Sequence, residues 1–174
     1  MIEYIKTTMD VAMEYLQSAP VLKYIVAFFI SMVPIIELRG GVPVAMELGI
    51  DWHIAIIMCT AANMIPVPFI YFFARKVLNW GADKKLIGGF CRFVLKRGEK
   101  ASQKLASKGG KYGFFLALLL FVGIPLPGTG AWTGTLGASF LNAGFKNTVF
   151  SVVLGVLLAG IIMSVVYGIF GIII

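Results

Sequence analysis

Apolar residues occur along this chain in long blocks, and the polar residues that interrupt them are concentrated at a few places. At the start, Ile2, Ile5, Met9, Met13 and Leu16 recur at three- and four-residue steps while Lys6, Asp10 and Glu14 hold another face. That spacing predicts an amphipathic helix at an interface, ended by Ser18, Ala19 and Pro20; an ordinary solvated cap on the bundle fits the same pattern. From Val21 to Ile36 runs an apolar block of about sixteen residues, short of the roughly 20 a helix needs to cross a bilayer. A second piece, Val42 to Ile50, is shorter still, with Glu47 inside it and Asp51 after it. Between them stand Pro34, Glu37, Arg39, Gly40, Gly41 and Pro43, and glycine with proline opposes a continuous helix there. Residues 21–50 therefore predict a re-entrant helical hairpin with an unwound tip. The alternative is one short span with Glu37 and Arg39 at its exit, at headgroup level.

The segment 52–78 predicts a full transmembrane span, with Trp52 and His53 at one interface and Arg75 and Lys76 at the other. Asn63, Pro66 and Pro68 fall inside it and predict a kink. His53, the only histidine, sits where a proton relay is not expected. The second half repeats the layout: a short apolar run over 112–124, a break over 125–134, a return over 135–141 and a charge-free span over 147–174. The organisation is thus a first repeat over 1–78, a basic amphipathic segment over 79–111, and the rest of a second repeat over 112–174, with its hairpin at 112–145. A hairpin returns to its own side and a span changes sides, so the second hairpin must enter from the face opposite the first. The fold class expected is an all-α integral membrane protein built as an inverted repeat of amphipathic helix, re-entrant hairpin and transmembrane helix.

Composition agrees. At 59% hydrophobic and 13% charged residues, with a mean hydropathy of +0.92, the chain has too little polar surface for a soluble domain of its length. Strand-like alternation is absent, which sets aside a barrel, and the opening lacks the basic and apolar regions of a signal peptide. Eleven of the fifteen Lys/Arg lie between Arg75 and Lys111, with Asp83 and Glu99 the only acids there. Arg92, Lys96, Lys100, Lys104 and Lys108 recur every four residues as a basic stripe, and Leu86, Ile87, Phe90, Phe93 and Val94 supply an apolar face. In this membrane context the stripe reads as a cytoplasmic segment resting on anionic lipid, with both termini outside the cytoplasmic membrane of a prokaryote and no nucleic-acid partner. Cys59 and Cys91 suggest packing residues, neither a disulfide nor a metal site.

Ionisable residues at membrane depth cost roughly 2.5–3.5 kcal/mol on insertion scales, so Glu37 and Arg39 mark a functional site. Arg39 keeps its charge and offers a planar fork to an anion or to Glu37. Burial and Arg39 act on Glu37 in opposite senses, and if substrate draws Arg39 away, Glu37 takes up a proton; Glu37 is thus the expected proton-coupling residue. Two residues apart in a regular helix they would not face each other, so their pairing needs an unwound tip or a partner subunit. Gly40, Gly41, Gly128 and Gly130 would let backbone approach a substrate, N–H groups opening each return helix would cradle an anion, Thr129 and Thr133 offer hydroxyls, and Trp132 offers a wall or a cation–π face. Pro43 and Pro127 complete the predicted substrate-binding set. Tight helix packing is the alternative reading of the second tip. Pro125 to Gly134 holds no basic residue, which leaves Arg39 as the one base expected at the tips.

The stretch from Glu37 to Pro43 together with that from Pro125 to Gly134 resembles the small multidrug export protein family, over nearly the whole chain, and that family is similar at a distance to the DedA superfamily of bacterial membrane proteins. The resemblance implies two re-entrant hairpins facing each other, proton-coupled transport and, through the DedA relatives, translocation of phosphate-bearing lipids. The expectation is a small transporter or flippase for an amphipathic or anionic substrate, without cofactor and not an enzyme, since no Ser/His, paired-carboxylate or metal constellation stands out. Its alternatives are a non-transporting membrane scaffold and an exporter of lipophilic cations. A homodimer is expected, with Gly160, Ser164 and Gly168 as one candidate contact and packing within the chain as the other.

Overall fold

The computed structural model describes residues 7, 11–15, 21–34, 36–85, 87–106 and 110–173. Ile2, Ile5, Lys6, Met9, Asp10, Leu16 and the stop at 18–20, together with Leu86 and Lys108, lie outside them. Residue 7 and residues 11–15 are helical, and Met13 is half-buried. Among the described residues seven longer helices follow: α1 Leu22–Met32, α2 Glu37–Glu47, α3 Trp52–Ala82, α4 Gly88–Ala106, α5 Gly110–Gly123, α6 Ala131–Phe140 and α7 Phe145–Ile173. No strand occurs among the described residues. Among the described residues two helices, α3 and α7, are long and apolar enough to cross a membrane; α3 outruns the span expected at 52–78 by four residues, and α7 starts two before 147. Phe29, Ile57, Phe69 and Phe150 are among many large apolar side chains on the outside, the surface a bilayer rewards.

The apolar blocks too short to span form two helix–break–helix units, α1 with α2 and α5 with α6. Both return helices end alike. Ile50 N–H donates to the Ala45 carbonyl and Gly49 N–H to that of Met46, each at 3.0 Å, with Gly49 at φ 73°; Ala143 donates to Ala138 and Asn142 to Ser139, each at 3.1 Å, with Asn142 at φ 50°. This left-handed stop satisfies the last carbonyls and turns the chain sharply into α3 and α7.

The expected kink in α3 is present and local. Pro66 and Pro68 donate no N–H and their rings crowd the carbonyls a turn earlier, so the α pattern breaks at Ile65 and resumes through a π turn over Ile70–Ala74. In that wide turn the Tyr71 carbonyl accepts the Ser139 hydroxyl at 2.7 Å, and the Tyr71 hydroxyl donates to the Ala143 carbonyl. The distortion thereby fastens α3 to the end of α6. Asn63 is fully buried and donates to the Cys59 carbonyl at 3.0 Å.

α4 packs along α6 through its small residues: a Cβ on Gly98 would strike Leu136 and Phe140, and one on Gly137 of α6 would lie 2.9 Å from the Ala101 Cβ. Its buried side is Cys91, Gly98, Ala101 and Leu105, whereas Ile87, Phe90 and Phe93 of the expected apolar face are largely exposed. Close backbone approach outweighs side-chain bulk here, because a docked neighbour gains most contact where no Cβ stands in the way. Arg92 reaches back to cap α3, donating to the Ala82 carbonyl at 2.5 Å.

α7 closes the bundle against α2, α3, α5 and α6. Gly155 and Gly123 bring α7 and α5 almost backbone to backbone, and a Cβ on Gly155 would lie 2.8 Å from the Leu119 carbonyl oxygen and from the Val122 Cβ. Gly160 sits against Ile56 and Leu38 of the same chain, and the Ser164 hydroxyl donates to the Gly160 carbonyl at 2.9 Å, so this part of the proposed dimer face is spent inside the subunit; a Cβ on Gly168 meets nothing within 4 Å. Gly155→Ala should destabilise the protein by about 1–3 kcal/mol through overpacking, whereas Gly168→Ala should be neutral or stabilising by up to about 1 kcal/mol through helix propensity. Thermal melts of the two variants in one detergent check the contrast.

Candidate functional site

The helix breaks bring two tips together in the middle of the fold. α2 opens at Glu37, whose φ of 50° is one of two left-handed non-glycine conformations among the described residues. That conformation costs roughly 1–2 kcal/mol. The return is visible across the gap: Ala131 N–H donates to Glu37 Oε2 and Trp132 N–H to Oε1, each at 3.0 Å. These are opening N–H groups of α6, which have no acceptor in their own helix and lie at the positive end of its dipole. A carboxylate only 6% exposed is thereby satisfied rather than stranded. Gly130, just before α6, has φ 133°, and a Cβ there would stand 2.8 Å from the Glu37 carboxyl carbon.

Arg39 makes the reciprocal connection. Its Nη1 donates to the Leu126 carbonyl at 2.5 Å and its Nη2 to Thr129 Oγ1 at 2.6 Å. Thr129 Oγ1 in turn lies 2.8 Å from the Leu126 carbonyl and 3.1 Å from that of Ile124, so its proton stays within its own loop. The acid and base of the first tip are therefore each bonded to the second tip. The anion expected at the start of a return helix is Glu37 itself.

Beside this latch lies a cavity of about 460 Å³. Its walls are apolar where Ile70, Val77, Leu78, Phe90, Phe93 and Leu136 line it, and polar at Glu37, Arg39, Arg97, Thr129, Trp132 and Thr133. Pro34, Pro127 and Gly128 complete the tips. Trp132 Nε1 is buried without a hydrogen-bond partner. Two guanidinium groups border the space, and the one carboxylate lining it among the described residues is already bonded twice.

Of the sequence-predicted residues, Glu37, Arg39, Pro127, Gly128, Thr129, Gly130, Trp132 and Thr133 converge here. Gly40, Gly41 and Pro43 do not line the cavity. A Cβ on Gly41 would fall 2.9 Å from that of Ser31 in α1, one on Gly40 would strike Ile36, and Pro43 stands inside α2; their service is to the first helix pair.

Arg97 corrects the expectation of a single base at the tips. It projects from α4, lies 5.5 Å over the Phe93 ring, and presses its guanidinium on Gly128, whose φ of 84° and lack of a Cβ make room for it. Arg97 falls off the four-residue basic stripe. The neighbouring small residues Gly98 and Ala101 are the signal that this side of α4 docks.

Residues 37–162 match a family model described as "Putative small multi-drug export protein". No curated protein and no solved structure matches the chain.

Proposed function

The chain belongs to the small multi-drug export protein family, and we propose that it is a membrane transporter whose substrate passes between the two tips. The single observation that carries this reading is the reciprocal latch, Glu37 on the start of α6 and Arg39 on the 126–129 turn, set against a cavity bordered by two guanidinium groups. In this reading α1–α2 and α5–α6 are re-entrant hairpins entering from opposite faces, an inverted repeat supported by the matching left-handed stops at Gly49 and Asn142. The basic α4 then lies on the cytoplasmic side.

An apolar space bordered by Arg39 and Arg97 suits an amphipathic molecule with an anionic head, such as a lipid phosphate. Translocation requires the tips to part. A proton on Glu37 removes the charge that the two α6 N–H groups hold, and an anion arriving at Arg39 competes with Leu126 and Thr129 for the same fork. Together they open the latch, and proton uptake is tied to substrate passage.

Ligand-induced thermal stabilisation of the purified protein tests this. Lipid phosphates should raise the melting temperature of wild type and not of Arg39→Ala, while lipophilic cations leave both unchanged. Stabilisation by cations that survives Arg39→Ala would instead favour cation export centred on Glu37 and the aromatic wall. No response to either panel would favour a scaffold in which the latch is purely structural.

A further inference from the structure

The cavity beside the latch has a buried floor and an open rim. Ile70 and Leu136, 5% and 4% exposed, belong to the floor, whereas Val77, Phe90 and Phe93, at 59%, 63% and 54%, belong to the rim. Ala74, Val77 and Leu78 on α3 and Phe90, Phe93 and Arg97 on α4 recur at three- and four-residue steps, so each helix gives the space one face. The two helices touch where they join: a Cβ on Gly81 would lie 2.6 Å from Cys91 Sγ, and one on Gly88 2.6 Å from the Ala82 carbonyl oxygen. Beyond that contact their faces part into a trough. α3 is long and apolar enough to cross a membrane, and the rim it shares with α4 is apolar, a mouth that suits acyl chains rather than water.

Arg97 borders the trough beside the second tip. It is half-buried, its guanidinium lies 5.5 Å over the Phe93 ring and presses on Gly128, and among the described residues it has neither a hydrogen bond nor an ion pair. Arg39 differs, since its fork is taken by Leu126 and Thr129. The open fork at the closed tips is therefore that of Arg97, and packing holds it there. We propose that the trough is a lateral portal for a single-chain amphiphile from the bilayer, its anionic head on Arg97 and its chain passing out between α3 and α4. The apolar rim buries a chain and offers a water-soluble anion nothing. A cationic head would stand between two guanidinium groups, because the one carboxylate lining the space among the described residues is bonded to α6. At about 460 Å³ the space lies in the lower part of the range for drug-sized ligands, about 300–1,000 Å³, which favours one chain over the two of a bulk phospholipid. Passage from Arg97 to Arg39 deepens the transporter reading and rests on it; the binding does not.

Trp132 lines the cavity and reports on its occupant. The two other tryptophans, Trp52 and Trp80, are exposed, so Trp52→Phe/Trp80→Phe keeps the fold and leaves a single fluorophore. In phosphatidylcholine nanodiscs this protein is titrated with dodecyl phosphate and with dodecanoate, each brominated beside the head so that contact quenches the indole. Quenching should saturate, and Arg97→Gln and Ala74→Phe should each require about ten-fold more ligand, the first through a lost charge-assisted contact and the second by filling the trough. Val77→Phe narrows the mouth from a lipid-facing position and should give a similar loss even if Ala74→Phe folds poorly. Quenching by either ligand upholds the portal, and the stronger one tells whether the head is a phosphate or a carboxylate. No quenching, equal quenching of all variants, or equal quenching by brominated phosphatidylcholine or a brominated dodecyltrimethylammonium overturns it. In proteoliposomes, saturable quenching without passage of dodecyl phosphate would keep the portal and remove the transporter reading. Passage at the wild-type rate in Arg97→Gln, Ala74→Phe and Val77→Phe would do the reverse.

Discussion

Gly130→Ala should melt far below wild type, by the equivalent of about 3–5 kcal/mol. The backbone there has φ 133°, a conformation closed to alanine, and the added Cβ would meet the Glu37 carboxyl group. The variant therefore loses strain-free geometry, roughly 1–2 kcal/mol, together with the charge-assisted bond from Ala131 to the Oε2 that the Cβ displaces, worth roughly 1.5–3 kcal/mol. Gly49→Ala is the matched control. It too has a left-handed φ, 73°, but nothing lies within 4 Å of its Cβ, so only about 1–2 kcal/mol should be lost. Amide hydrogen exchange separates the two further: Ala131 should lose protection in Gly130→Ala and keep it in Gly49→Ala. Equal melting of the two variants would mean that Glu37 does not hold the second tip.

Glu37→Gln should abolish proton-driven uptake in proteoliposomes while the protein inserts and purifies as wild type. The amide retains one acceptor oxygen, so one of the two 3.0 Å contacts to α6 can persist and the fold survives. What it loses is the charge that a proton would cancel. Transport that responds to an imposed pH gradient in wild type should become flat across that gradient in the variant. A variant that transports with the wild-type response would remove Glu37 from coupling, and one that fails to insert would support the scaffold instead.

Much of the candidate site was legible because ions, glycines and prolines are conspicuous in apolar sequence. Glu37, Arg39, Gly128, Gly130 and Trp132 could be singled out for that reason, and the second break could be located although it carries no charge. The pairing could not. Glu37 and Arg39 looked like partners for each other, whereas each bonds to residues about ninety positions away, in three of the four bonds through backbone N–H and C=O groups that carry no sequence signature. Gly41 looked like a substrate-facing glycine and is a packing glycine beneath Ser31, a distinction that depends on which helix lies opposite. Arg97 was hidden among ten other basic residues in its segment, where charge alone could not tell a docked side chain from a solvated one.

By itself the sequence determined the all-helical membrane class, two long apolar helices, the two breaks and the kink at Pro66 and Pro68, because each follows from block length, charge cost or a missing N–H, all local properties. Only the tertiary structure decided which groups join the two breaks, that Glu37 caps α6, that Arg39 holds the 126–129 turn and that α4 brings Arg97 to Gly128. Those are contacts between distant segments, and what selects them is the fit of small residues and unpaired backbone groups across an interface that no single stretch of chain contains.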